Sequence, residues 1–334
     1  MGRPFFAEPE LVNKAMAGAF EDIAPCASCG GCVSYDPAEG FSGPKCHINP
    51  RLFHELEYPM VPTDGPKKKV LIIGGGIGGM EAAYTAAVRG HSVTLWERSR
   101  TLGGHLQLAS VPPGKQDLAK WLVYLNTQMQ KHGVQVVFEK EATVDAVREF
   151  APDAVIIATG CVAAIPPIPG TQGQPIRTAY DFLEGKLPIP GGKVCILGSG
   201  LVACETAETI LQRAIADVDI TMVDMLPTVL ATYTRYNREL LLRHLKAGNV
   251  HMMTSTKVVA YQEHQIDVEL ADGTRQTLDG FDHILFALGA KSNDPLSQAL
   301  AEFVPEVAVI GEAKSAPRMA VKAVREGFEA AYQL

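Results

Sequence analysis

Lys68-Lys-Val-Leu-Ile-Ile-Gly-Gly-Gly-Ile-Gly-Gly-Met-Glu-Ala-Ala83 is answered, further along the same chain, by Lys193-Val-Cys-Ile-Leu-Gly-Ser-Gly-Leu-Val-Ala-Cys-Glu-Thr-Ala207. Each stretch is an apolar run of strand length, a glycine turn, and a segment that opens a helix. Each is followed by a second strand pattern ending on an acid, Val93-Thr-Leu-Trp-Glu97 and Ile220-Thr-Met-Val-Asp224. This internal repeat predicts two βαβ units of the nucleotide-binding kind. Apolar strands alternating with amphipathic helices give parallel sheets covered by helices. Right-handed crossovers leave both glycine turns at the carboxyl ends of the strands, where ligands belong.

Gly74-x-Gly76-x-x-Gly79 lies between an apolar strand, Val70 to Ile73, and a helix expected to begin near Met80. Gly74 permits the tight turn, Gly76 lets the backbone approach a pyrophosphate, and Gly79 allows close helix–strand packing, while the helix N-terminus favours the anion. Glu97 then offers a carboxylate to a ribose hydroxyl. The second turn, Gly198-x-Gly200-x-x-Ala203, has alanine where the ligand is not met and suits a nicotinamide dinucleotide. Asp224 would accept from a 2′-hydroxyl and repel a 2′-phosphate, favouring NADH over NADPH. It stands further from Gly198 than the usual interval of about twenty residues, and Arg235 or Arg238 could reverse the preference. Glu205, just inside the helix, is read as orienting the nicotinamide end, or as a first-turn acid suited to the helix dipole.

Two further strands, Asp153-Ala-Val-Ile-Ile-Ala-Thr-Gly160 and Asp282-His-Ile-Leu-Phe-Ala-Leu-Gly289, read as exits between two domains. Pro and Gly clusters at Ile165 to Gly170 and Pro188 to Gly192 mark the first crossing, and Ala290 to Asp294 the second. The second unit is therefore expected to be inserted in the first. The expected fold is α/β, with two Rossmann-like dinucleotide-binding domains at 67–165 plus 282–334 and at 166–281, preceded by a loop-rich segment, 1–66.

That leading segment carries four of the seven cysteines. Cys26, Cys29 and Cys32 are spaced C-x2-C-x2-C, and Cys46 follows after thirteen intervening residues. Three thiolates on one tight loop cap one side of an iron–sulfur cubane, and a fourth from a distant turn closes it. Gly30 and Gly31 let the loop curl and leave N–H groups free to point at cluster sulfides. A four-cysteine zinc site is the competing reading, but zinc usually takes paired C-x2-C knuckles. Cys195 and Cys204 are expected to be packing residues. Cys161 has no cysteine at C-x2-C spacing and is given no role.

At 334 residues the chain suits two or three domains. A net charge of -7, with both signs interspersed, argues against a nucleic-acid or anionic-membrane surface. No run of about eighteen apolar residues occurs, the start has no signal-peptide core, and Phe6 stands where N-myristoylation wants Ser or Thr. A cytoplasmic protein with small-molecule or protein partners is expected.

Gly2-Arg-Pro-Phe-Phe-Ala-Glu-Pro-Glu-Leu, Pro25-Cys-x2-Cys-x2-Cys, Cys46-His-Ile-Asn-Pro, the two glycine turns and Ala158-Thr-Gly160 together resemble the carboxyl-terminal portion of the trimethylamine dehydrogenase and 2,4-dienoyl-CoA reductase family. The resemblance spans essentially the whole chain. It implies a [4Fe–4S] cluster on Cys26, Cys29, Cys32 and Cys46, and two glutathione-reductase-like nucleotide domains. The family's amino-terminal (β/α)8 barrel with FMN has no counterpart here. Arg3 matches a residue that contacts the FMN phosphate in the family, so FMN is expected only in a partner subunit; the alternatives are a chain cut from a longer protein and a module that acts alone.

In glutathione-reductase-like flavoproteins the stretch matching Thr101-Leu-Gly-Gly-His-Leu106 runs along the flavin, and Val309-Ile-Gly311-Glu312 with the following helix, Pro317 to Tyr332, reaches it. This implies FAD in the first site, held by Gly74, Gly76, Gly78, Gly79, Glu97, Arg98, Gly104, Leu106, Ala142, Ala158, Thr159, Gly160, Gly311 and Glu312. ADP is the alternative, because the amine dehydrogenases hold it there. Gly198, Gly200, Leu201, Glu205, Asp224 and Gly289 would hold NADH or NADPH. The implied activity is an oxidoreductase module relaying electrons between NAD(P)H and an FMN barrel partner that reduces an enone or oxidises an N-methyl amine. The alternatives are an amine-dehydrogenase-type subunit passing electrons to an electron-transfer flavoprotein, and a non-catalytic assembly subunit. The cofactors would carry the chemistry, so no acid–base triad is expected.

Overall fold

The structure, a computed structural model, describes residues 2–33, 44–231, 235–317 and 319–334. The chain divides into two compact units. The first takes the residues up to 110, with 115–162 and 291–334. The second takes 111–114 and 163–290.

The first unit is built on a five-stranded parallel sheet in the order Glu306–Val309, Ala154–Ile157, Lys69–Ile73, Ser92–Trp96, Gln135–Val137. In the central strand the side chains alternate between two cores. Val70 and Ile72 join one with Met80, Trp121 and Val324, whereas Leu71 and Ile73 join the other with Val147 and Leu300. Helices cover both faces, so the strand is apolar throughout although its pleat has a period of two. Against the first face lie the Ile77–Val88, Asp117–Lys131 and Ala320–Tyr332 helices.

Two of these helices cross where glycines remove the side chains. A Cβ on Gly327 would stand 2.3 Å from the Gly78 carbonyl oxygen, and one on Gly78 would stand 2.8 Å from that of Ala323. The first helix begins at Ile77 rather than near Met80, because Gly76 is already the extended cap (φ -70°, ψ 176°). The last begins at Ala320 rather than Pro317, behind the extended Met319 (φ -76°, ψ 147°).

The amino-terminal segment belongs to this unit. Ala7, Ala24, Ala27 and Ile48 share the core of the first face, and Cys26 and Cys46 pack against it. Gln128 and Lys131, on the Asp117–Lys131 helix, each reach the Asp22 carboxylate at 2.8 Å. These two bonds hold the Asp22 carboxyl below its ordinary range.

The second unit has a parallel sheet in the order Arg177–Thr178, His283–Phe286, Gly192–Leu197, Val218–Val223, His251–Met253. An antiparallel meander of Lys257–Gln262, Gln265–Glu269 and Arg275–Leu278 accompanies it. The His283–Phe286 strand corrects the expected boundary at 281/282, because it pairs in parallel with Val194–Leu197 in the second sheet. The chain leaves that sheet only after the strand, so the return falls at 290/291. The outward crossing falls at 162/163, near the expected 165/166.

Candidate functional site

At the first glycine turn the backbone is shaped by what surrounds it. Gly74 has φ +105°, and a Cβ there would lie 2.4 Å from the Ala158 carbonyl oxygen. Gly79 packs so closely that its Cβ would lie 2.0 Å from the Gly74 oxygen, whereas Gly76 has nothing within 4 Å. The open glycine therefore caps the Ile77–Val88 helix and presents bare backbone to the space beyond. Glu97 clamps the turn: one oxygen accepts from the Gly75 N–H at 2.7 Å, the other from Ser99 N–H at 2.8 Å.

A cavity of about 280 Å³ opens at this turn. Its walls include Gly74, Gly76, Gly78, Glu97, Arg98, Leu106, Ala142, Ala158, Thr159, Gly160, Gly311 and Glu312. Two residues assigned to this site from the sequence are not on the walls. Gly79 lies beneath the turn, and Gly104 backs onto Gly76, whose Cα would be 3.2 Å from an added Cβ.

The walls also carry residues to which the sequence reading gave no role, above all His105 and Cys161. Cys161 Sγ donates to Glu312 Oε2 at 3.1 Å, and His105 Nδ1 is 3.4 Å from the same oxygen and 3.5 Å from the sulfur. Burial first, and then the Glu312 carboxylate, push the Cys161 thiol well above its ordinary range. One local signal was available: each of the three follows a glycine of positive φ, namely Gly104 (49°), Gly160 (70°) and Gly311 (60°).

The second turn repeats the first in its details. Gly198 has φ +113°, and its Cβ would meet the Ala287 oxygen at 2.5 Å. Asp224 takes the part of Glu97. Its Oδ2 accepts from the Ser199 N–H and hydroxyl, both at 2.7 Å, and its Oδ1 accepts from Leu226 N–H at 2.8 Å. Gly200 is the extended cap of the Leu201–Arg213 helix, within which Glu205 is buried. Gly289 has φ +99° and lies between the His283–Phe286 strand and the return at 290/291. Arg238 Nε donates to the Val229 carbonyl at 3.0 Å, and the Arg235 side chain lies outside the described residues. Cys195 and Cys204 are fully buried, and burial pushes both thiols up to about 12, which suits packing rather than reactivity.

Cys26, Cys29, Cys32 and Cys46 are half-buried free thiols within electrostatic reach of one another. Burial raises Cys29 and Cys46, while backbone N–H groups oppose it: that of Gly31 toward Cys29, and those of Ile48 and Asn49 toward Cys46. His47 Nδ1 lies 2.7 Å from Cys29 Sγ, and Gly31 makes room for that ring, since its Cβ would meet His47 Cε1 at 2.8 Å. Among the described residues, the ligand atoms drawn within 4.8 Å of one another are those of His105, Cys161 and Glu312, and not of the quartet. The backbone N–H groups that face Cys29 and Cys46 suit thiolates bound to a cubane, where each sulfur meets a different iron.

Residues 68–327 match the pyridine nucleotide-disulphide oxidoreductases. The chain belongs to this family. Its members are oxidoreductases, and the match takes in both glycine turns. A bilirubin reductase of Mediterraneibacter gnavus (strain CC55_001C) is 33% identical over 332 residues, covering 99% of this chain and 50% of the reductase. A metal reductase of Desulforamulus reducens (strain ATCC BAA-1160 / DSM 100696 / MI-1) is 33% identical over 362 residues, covering 99% of this chain and 53% of that protein. Among solved structures, a 2-naphthoyl-CoA reductase superposes with a TM-score of 0.91 at 30% identity, over 99% of this chain and 50% of its own. The T. acidophilum thioredoxin reductase shares the fold alone, with a TM-score of 0.60 at 15% identity over 80% of this chain and 99% of its own. The chain spans about half the length of the curated relatives it matches. These relatives agree with the resemblance to the trimethylamine dehydrogenase type read from the motifs. Among the described residues no helix is long and apolar enough to cross a membrane.

Proposed function

We propose that the chain is an FAD- and [4Fe–4S]-dependent module that takes a hydride from NADH at the second turn and delivers single electrons to an FMN-containing barrel partner. The observation that carries this reading is the paired clamp. Glu97 on Gly75 and Asp224 on Ser199 hold two glycine turns in the same open form within one chain. FAD would convert a two-electron donor into single-electron transfers, and the cluster on Cys26, Cys29, Cys32 and Cys46 would pass them on.

The chain's own residues bind and orient. Gly76 and the following helix N-terminus offer N–H groups to a pyrophosphate. Walls that continue from this turn to Cys161 and Glu312 support FAD over ADP. Asp224 at the end of the Val218–Val223 strand supports NADH over NADPH, since a carboxylate there would repel a 2′-phosphate. The bilirubin reductase and the 2-naphthoyl-CoA reductase among the relatives favour a reductive role over amine oxidation. Their doubled length supports a barrel beside this module, as a further domain or as a partner subunit. Unpaired thiols fit a reducing compartment, the cytoplasm.

The visible spectrum of the purified protein tests this. Yellow-brown protein whose flavin band bleaches on adding NADH is expected. Cluster absorption without flavin would favour the amine-dehydrogenase type with ADP, and colourless protein with intact cysteines would leave only an assembly role. Cys29→Ser should abolish cluster absorption, and unchanged iron content would refute the ligand assignment.

A further inference from the structure

The trio on the cavity wall has dimensions beyond those of a chance meeting of polar groups. Its three donor atoms, one sulfur, one nitrogen and one oxygen, form a triangle with edges of 3.1, 3.4 and 3.5 Å. A tetrahedral zinc-like ion with bonds of about 2.3 Å to sulfur and about 2.0 Å to nitrogen and oxygen has ligand edges of roughly 3.3–3.6 Å. Two of the edges already match, and the third needs a few tenths of an ångström. The three residues stand on three separate elements, His105 opening the His105–Ala109 helix, Cys161 opening the Cys161–Ala163 strand and Glu312 in the Gly311–Lys314 helix, so the triangle is not the product of one flexible loop. The cavity beside them offers the open fourth position.

We propose that His105, Cys161 and Glu312 form a site for a soft divalent cation of the zinc type, with water as fourth ligand, which competes with the dinucleotide for the first cavity. Binding replaces the S–H···O bond to Glu312: Cys161 forms a sulfur–metal bond and its proton goes to solvent. Glu312 then turns from hydrogen-bond acceptor to ligand, and His105 contributes the nitrogen already facing them. The site is distinct from the cysteine quartet, which offers four sulfurs and no carboxylate. It stands whether or not the NADH-to-FAD reading holds.

The probe is Zn²⁺ itself, added to the full chain after release of its nucleotide and counted by elemental analysis after equilibrium dialysis. Wild type should hold one zinc per chain more than Cys161→Ser, so any metal on the quartet cancels in the comparison. His105→Gln and Glu312→Gln should weaken that zinc by roughly tenfold or more, since even outer-shell partners act on that scale. X-ray absorption at the zinc edge, taken as the difference between wild type and Cys161→Ser, should show one sulfur among nitrogen and oxygen neighbours. Equal zinc in wild type and Cys161→Ser, or a zinc surrounded by four sulfurs alone, overturns the proposal. Should Cys161→Ser fail to fold, the two milder variants carry the same comparison. Saturating FAD should displace the zinc, and retention of both together overturns the competition.

Discussion

At Gly74 a φ of +105° coincides with a carbonyl oxygen 2.4 Å from where a Cβ would sit, so strain and clash act together. Gly74→Ala is expected to cost about 2 kcal/mol or more and to empty the first cavity of nucleotide. Denaturant melts and bound-flavin content check it, and full flavin at wild-type stability would contradict the role given to the turn. Glu97→Gln keeps the shape but gives one of two backbone donors, Gly75 or Ser99, an amide that cannot accept from it. A loss of about 1–2 kcal/mol is expected, read as weaker FAD retention with NADH affinity unchanged. These residues were legible because turn, helix start and acid lie within one short local motif. His105 and Glu312 were not legible as a pair, since they stand 207 positions apart and local sterics say nothing about that meeting.

At the scale of an element, the Ile77–Val88 helix carries an ionisable group on a buried face. Burial pushes the Glu81 carboxyl up to about 8, opposed by the Thr85 hydroxyl donating at 3.3 Å and by the Arg51 charge. The unfolded chain releases this proton near 4.5, whereas the folded chain keeps it to about 8. Stability from this group is therefore greatest below about 4.5, falls as pH rises toward 8, and is level above. The fall amounts to a few kcal/mol, since each pH unit crossed between those two values is worth about 1.4 kcal/mol. Stability measured between pH 5 and 8 should decline for wild type and stay flatter for Glu81→Gln. Parallel slopes would sink the assignment. The helix itself was foreseen from its glycine start, but not the acid within it, because a lone Glu among alanines reads equally well as solvent-facing.

At the scale of the whole molecule, the first cavity lies entirely in the first unit, so a cofactor bound there should stabilise that unit selectively. FAD at a hundredfold excess over its Kd adds about 2.7 kcal/mol, which raises a midpoint by about 5–10 °C for a unit of this size. Calorimetry should show this rise in one transition. The other transition, identified by its fall in Gly198→Ala, should hold still, and a rise confined to it would move FAD to the second turn.

By itself, the sequence determined the α/β class, the two glycine turns with their acids, and the clustering of four cysteines. Each depends on contacts among residues close along the chain, where backbone sterics and side-chain period leave few choices. Only the tertiary structure decided that His283–Phe286 pairs in the second sheet, that the cysteine segment shares a core with the first nucleotide helix, and that His105, Cys161 and Glu312 meet. Strand order and the convergence of segments that follow distant strands are set by how layers pack, and no local pattern encodes them.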